Sequence, residues 1–259
     1  MFEELYAPLP DTEAYLAHID APRPEPTAGG LSALIRAHRL AIPFENYNVC
    51  ELHLPVSLAT EDIFEKVVRK GRGGYCFELN ALFYSLLIAL GFDAHPLICR
   101  VMRAGNAHPA PLHRATMINI GGKRYYADVG LGGPAPEGAV PIEDGVSVSA
   151  HGSAFRMDRL DRHQWLLSHR EGGEWTPSIK FSENPAEPCD FVAPNYFCSE
   201  NPQSGFALHR MVNISLPDGY AVIADDTFTL CTGGEKTVKK ITSPSDEAAV
   251  LEKYFKLKI

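Results

Sequence analysis

The chain has 259 residues, 45% apolar and 22% charged, proportions of a globular protein long enough to bury a sizeable core. Its formal net charge of −8 argues against a general nucleic-acid binder and requires that any anionic substrate be drawn by a local basic patch. The N-terminal MFEELYAPLPDTEAY is acidic and has no apolar signal core, and no apolar run is long enough to span a membrane, so a cytoplasmic protein with reduced cysteines and no nucleic-acid or membrane partner is expected.

A short helix is expected from Thr12 to Ile19, broken by Pro22, Pro24 and Pro26. Gly29 and Gly30 lead into a second, in which Leu31, Leu34, Ile35 and His38 follow helical spacing until Pro43. In the third, TEDIFEKVVRK, Thr60 is the expected N-cap, with acids in the first turn, Lys66, Arg69 and Lys70 towards the end, and Gly71 as its stop. That order of charges complements the helix dipole. The fourth begins near Cys76. Its residues Phe77, Leu79, Leu82, Phe83, Leu86, Leu87 and Leu90 make so broad an apolar face that burial on most sides is expected, and Gly91 ends it. From Ala94 the segments PLICRV, ATMINI, KRYYADV and RHQWLLSH read as strands of an antiparallel sheet or barrel reaching about residue 190. ALHRMVNISL and GYAVIADDTFTLCT alternate again, and DEAAVLEKYFKL closes the chain as a helix.

Of the six cysteines, Cys50, Cys76, Cys99, Cys189, Cys198 and Cys231, no two form a C-x-x-C pair, which disfavours a zinc or dithiol centre. Cys76 has an unusual address: it follows Gly73-Gly74-Tyr75 and opens the most apolar helix. A helix N-terminus favours the thiolate, and its free N–H groups suit an oxyanion. A buried cysteine that merely begins a helix would have the same address. A nucleophilic cysteine needs a histidine and a group to orient it, and the turn Gly121-Gly122 narrows the choice among ten histidines. Pairing Ile120 with Lys123 sets Ala115 opposite Asp128 and His113 opposite Gly130. His113 and Asp128 are then diagonal neighbours on one face, roughly 7–8 Å apart along the backbone. Gly130 is expected to leave room for the imidazole.

Taken together, RGGYCFELN (Arg72 to Asn80), IPFEN (Ile42 to Asn46), His113, DVGLGG (Asp128 to Gly133) and NYFCSENPQSGF (Asn195 to Phe206) resemble, in order, the motifs of the arylamine N-acetyltransferases. The resemblance implies a Cys76–His113–Asp128 catalytic triad. It also implies an α+β fold with a cysteine-proteinase-like core. The expected parts are an N-terminal helical bundle (1–91), a central antiparallel β-barrel (92–194) and a C-terminal α/β lid (195–259). The implied chemistry is ping-pong transfer, without a metal, of an acetyl group from acetyl-CoA through a Cys76 thioester to an arylamine, arylhydroxylamine or hydrazine. Phe44, Val101 and Leu131 fall at acceptor-pocket positions, with Leu131 where the family usually carries Phe, and Phe197 and Ser204 at CoA-contact positions. Lys236, Lys239 and Lys240 form a basic stretch that reads as a solvated face rather than a phosphate site. An ansamycin-type amide synthase, a transglutaminase-like or papain-like hydrolase and a binding protein that has lost catalysis are the alternatives. Neither the oligomeric state nor the choice of acetyl, malonyl or propionyl donor is legible.

Overall fold

The structure, a computed structural model, describes residues 2–103, 105–106, 108–150, 153–171 and 173–259. Helix α1 (Thr12–His18) starts where Asp11 accepts the Ala14 N–H at 2.9 Å. Helix α2 (Ala28–Ala41) begins earlier than its apolar spacing suggests. Thr27 caps it through the Gly30 N–H at 3.1 Å, so Gly29 and Gly30 form its first turn instead of leading into it. Strand β1 (Phe44–Glu45) and the one-turn α3 (Tyr47–Cys50) follow. Helix α4 (Thr60–Phe64) runs on through a widened turn, Glu65–Arg69. Its N-cap is Ala59, not Thr60, which is already helical and buried. Ser57 takes over the polar role, accepting from the Ala59 N–H at 3.2 Å and donating to Asp62 at 2.6 Å. Helix α5 (Cys76–Ala89) is buried nearly all round, as its composition predicts, and packs on α1, α4 and the barrel strands introduced next.

Strands β2 (Asp93–Val101), β3 (His113–Ile120), β4 (Lys123–Ala127), β5 (Val140–Pro141), β6 (Val146–Ala150), β7 (Ser153–Arg159), β8 (Gln164–Glu171) and β9 (Glu174–Ser182) form one antiparallel sheet of order β5-β4-β3-β2-β9-β8-β7-β6. Its two edge strands approach each other, so the sheet is a nearly closed barrel around a core that includes Leu97, Cys99, Met117, Tyr126, Met157 and Ile179.

Helices α6 (Val192–Glu200) and α7 (Gly205–Leu208) lead to strands β10 (Met211–Leu216), β11 (Gly219–Ala224), β12 (Thr227–Thr232) and β13 (Glu235–Lys240). Helix α8 (Pro244–Val250) then continues through Leu251–Phe255. The second sheet has the order β1-β10-β11-β12-β13. Its first strand comes from the helical part of the chain: Phe44 pairs with Asn213 and Glu45 with Val212. Tyr47 likewise sits in the core of the C-terminal sheet, with Val212, Ile223, Phe228 and Phe255. The fold is α+β, as expected. All six cysteines are free, and no helix among the described residues is long and apolar enough to cross a membrane.

Candidate active site

The chain reaches Cys76 along a loop locked against β1. The Glu45 N–H donates to Gly74 O at 2.8 Å. Gly73 and Gly74 are required by close approach rather than by a tight positive-φ turn. A Cβ on Gly73 would lie 2.1 Å from Pro43 O, and one on Gly74 would lie 2.8 Å from Glu78 Oε2. Glu78 closes the first turn of α5 by accepting the Tyr75 N–H at 3.1 Å. Behind it lies a buried charge cluster. Lys66 Nζ donates to Glu78 at 2.7 Å and lies 3.7 Å from Glu45, which Arg72 Nη2 holds at 2.8 Å and which also accepts the Tyr47 N–H at 2.8 Å. Burial pushes the Glu78 carboxyl up, against the pull of Lys66. Asn46 completes the wall. Its amide donates to Phe206 O and His209 O at 2.8 Å each and accepts the Met211 N–H at 2.8 Å, tying the start of the chain to its last third.

The β3–β4 hairpin has both turn glycines at positive φ, +57° for Gly121 and +76° for Gly122, and its register runs from Ile120↔Lys123 to Thr116↔Ala127. Asp128 follows directly after β4 and meets His113 on the expected face, with Nε2 to Oδ2 at 2.7 Å. An ionised carboxylate only accepts, so Nε2 carries the proton and Nδ1 is left for other work. Tyr126 OH also donates to Oδ2 at 2.8 Å, and Asn80 Nδ2 and the Gly130 N–H donate to Oδ1 at 2.9 Å each. Asn80 is itself held by the Val129 N–H at 3.0 Å and by Arg114 O at 2.6 Å.

Cys76, His113 and Asp128 are each 2% exposed. Burial opposes the charge on Asp128, but the His113 cation and the bonds from His113, Asn80 and Tyr126 prevail and hold its carboxyl down at about 2. Burial likewise opposes the charge on His113. The Asp128 carboxylate, its hydrogen bond and a further hydrogen bond with Cys76 outweigh it and push the imidazole up to about 10. Cys76 Sγ lies 4.0 Å from Leu112 O. Gly130 serves a different purpose from the one its register suggests: a Cβ there would meet Cys76 Cα at 2.8 Å and Asn80 Nδ2 at 2.7 Å, not the imidazole.

Cys76 and His113 line a cleft of about 240 Å³ with Phe44, Val101 and Leu131 also on its walls. Phe197 and Ser204 line an adjoining cavity of about 180 Å³, which shares Val101, Arg103, Leu112, Phe206 and Met211 with the cleft. The Phe197 ring is exposed at its rim. The Ser204 hydroxyl is committed to the backbone, accepting the Ala207 N–H at 3.1 Å as the cap of α7 and donating to Cys198 O at 2.6 Å. The basic stretch is remote. Lys236, Lys239 and Lys240 lie exposed on β13, the sheet edge opposite β1, and Lys240 pairs with Asp226 at 2.5 Å.

Sequence reasoning missed Asn80 and Tyr126, which hold Asp128, and Arg103 and Phe206, which line the cleft. Asn80 stands one helical turn after Cys76, and Tyr126 two residues before Asp128 on the same strand face, so both had a spacing signal. Arg103 had none. Among the described residues no group of three or more His, Cys, Asp or Glu side chains is disposed to hold a metal ion.

A family model described as N-acetyltransferase matches residues 28–259. The arylamine N-acetyltransferase of Mycolicibacterium smegmatis is 35% identical over 224 residues, covering 83% of this chain and 78% of that protein. The structure of the arylamine N-acetyltransferase from Salmonella typhimurium superposes with a TM-score of 0.88 at 28% identity, over 93% of this chain and 89% of that one. That of the Mycobacterium marinum arylamine N-acetyltransferase in complex with CoA does so with a TM-score of 0.88 at 26% identity, over 94% and 91%.

Proposed function

The chain belongs to the arylamine N-acetyltransferase family and is an acyltransferase, and from that premise we propose that it carries an acetyl group from acetyl-CoA on Cys76 and delivers it to an arylamine, arylhydroxylamine or hydrazine. The observation that carries this reading is the His113–Asp128 bond at 2.7 Å, which engages Nε2 and leaves Nδ1 free to serve Cys76 at the cleft wall. Asp128 keeps the imidazole charged near neutral pH, so Cys76 faces a cation across the cleft wall.

The thiolate attacks the thioester carbonyl of the donor. The N–H groups that open α5 at Cys76 stabilise the oxyanion. The carbon–sulfur bond to CoA breaks, and the departing thiolate takes the proton of the His113 imidazolium. The acceptor amine then attacks the Cys76 thioester, neutral His113 takes the proton it sheds, and Cys76 leaves as the thiolate, restoring the resting pair.

The division of labour that follows gives the nucleophile to residues 1–91, the histidine and aspartate to 92–194 and the covering wall to 195–259. Phe44, Val101 and Leu131 bound the acceptor, and Phe197 and Ser204 flank the donor. Leu131 offers no aromatic face, so the cleft stacks less firmly on an arylamine than one lined there by Phe. Intact-mass analysis after incubation with acetyl-CoA tests the scheme. The expected result is an adduct of about 42 Da, one acetyl group on the thiol, that Cys76→Ser abolishes, with CoA released when p-anisidine is added. No CoA release above background would refute it.

A further inference from the structure

The cleft that holds Cys76 is small, about 240 Å³, and its wall is largely apolar. Besides Cys76 and His113, the polar side chains on it are Arg103, His169 and Ser178. Arg103 is exposed. Ser178 is buried, and its hydroxyl meets His169 Nδ1 at 2.6 Å. An interruption of the barrel sets this pair there. Across β8 and β9, Leu167 faces Ile179 but Ser168 faces Pro177, so Ser178 is an extra residue with no partner in that ladder. Pro177 has no N–H to give, and the Ser178 carbonyl accepts the Met102 N–H at 2.8 Å, one residue past the last paired residue of β2, Val101. Leu167 and Ile179 belong to the barrel core, and unbroken alternation would turn Ser178 outwards. The bulge re-aims it, and its hydroxyl meets His169, which follows Leu167 by two residues on the inward side of β8.

The acyl-transfer steps leave this pair unused. A hydroxyl carries one proton and two lone pairs. Bonded to the imidazole, Ser178 Oγ still has its proton or a lone pair to offer, whichever tautomer His169 adopts. An acceptor whose amine faces Cys76 and His113 and whose ring lies along Phe44 and Leu131 leaves its far substituent to the rest of the wall, where the buried hydroxyl is that of Ser178. A ring hydroxyl, donor and acceptor at once, satisfies Oγ in either state. A methyl group in the same place excludes water from Oγ and returns no hydrogen bond.

We propose that Ser178, held by His169, is a specificity-determining residue of the acceptor site and selects arylamines that carry a hydroxyl group on the ring, away from the amine. The proposal rests on the acetyltransferase reading above and deepens it by naming the acceptor class. It also fits Leu131, which offers the ring no aromatic face: a cleft that stacks weakly on its acceptor has in Ser178 a polar contact that orients it.

Two acceptors of nearly equal size, 4-aminophenol and p-toluidine, test it in wild type and Ser178→Ala. In a ping-pong scheme the kcat/KM for the acceptor reads the second half-reaction alone, scored here as amide product. The expected result is that the ratio of kcat/KM for 4-aminophenol to that for p-toluidine falls about fivefold or more in Ser178→Ala, the loss of one hydrogen bond to the acceptor. An unchanged ratio overturns the proposal. Should Ser178→Ala fail to fold, seen as failure of p-nitrophenyl acetate to acylate Cys76, the wild type carries the test. Its ratio is then expected to exceed, by about threefold or more, the ratio of the two amines' uncatalysed rates of amide formation with p-nitrophenyl acetate, and a smaller excess overturns the proposal. Failure of the wild type to acetylate either amine would instead sink the acetyltransferase reading, so the two failures are distinct.

Discussion

Asp128 has both oxygens committed to the protein: His113 and Tyr126 share one, Asn80 and the Gly130 N–H the other. A carboxylate satisfied this way stays ionised despite burial and fixes the imidazole in orientation and tautomer. Stability then depends on pH in a definite way. The His113 pKa is raised from 6.5 to about 10, so its contribution is full below about 6.5 and is lost as pH rises through about 10. The Asp128 pKa is lowered from 3.8 to about 2, so its contribution is full above about 3.8 and is lost as pH falls through about 2. Urea titrations of wild type and His113→Ala will differ most, and by a constant amount, between about pH 4 and 6.5, and the difference will shrink from pH 7 to 10. A difference that grows with alkaline pH would contradict the pairing. The meeting of His113 with Asp128 was legible in the sequence because a two-residue turn fixes register, and register fixes which side chains share a face. That Asn80 reaches Asp128 was not legible, since nothing in local spacing says how a helix docks on the end of a distant hairpin.

At the scale of elements, the N-terminus of α5 is held by charges rather than by a small polar cap. Lys66 serves Glu78, Glu78 serves the Tyr75 N–H, and Glu45 bridges Arg72 and the Tyr47 N–H. Removing one partner of a buried pair leaves an uncompensated charge. Lys66→Met, which keeps much of the side-chain volume, is expected to destabilise the protein by about 3–5 kcal/mol, read from the denaturant midpoint, and to lower the rate of Cys76 acylation because the first turn of α5 frays. The main helices were legible because periods of three and four residues persist over several turns, and β2, β3, β4 and β8 because alternation with turn signals marks them. The Thr60 cap was misplaced because a serine three residues earlier does the work. Strand β1 was invisible, since two residues carry no period and its pairing partner lies far along the chain.

At the scale of the molecule there are three hydrophobic cores, the helices around α5, the barrel interior, and the C-terminal sheet under α8 and its extension, of which the first two border the cleft. The last is closed by Leu251, Phe255 and Leu257 lying over Val212, Ile223 and Phe228. Deleting residues 244–259 uncovers that apolar face, and the truncated chain is expected to bind a hydrophobic dye, lose several degrees of thermal midpoint and associate, all measurable by fluorescence and size-exclusion chromatography. A truncated chain that stays monomeric with an unchanged midpoint would show that the sheet does not need this cover. The pairing of β1 with β10 has a consequence during synthesis. Phe44 and Glu45 leave the ribosome early, but their partners Val212 and Asn213 are made only when most of the chain is out. Until then the strand that anchors the Gly74 loop, and through it Cys76, has an open edge. The nucleophile is therefore positioned late, and a chain stalled before β10 carries a loose thiol and an unpaired strand, a state that chaperones and proteases would recognise as unfinished.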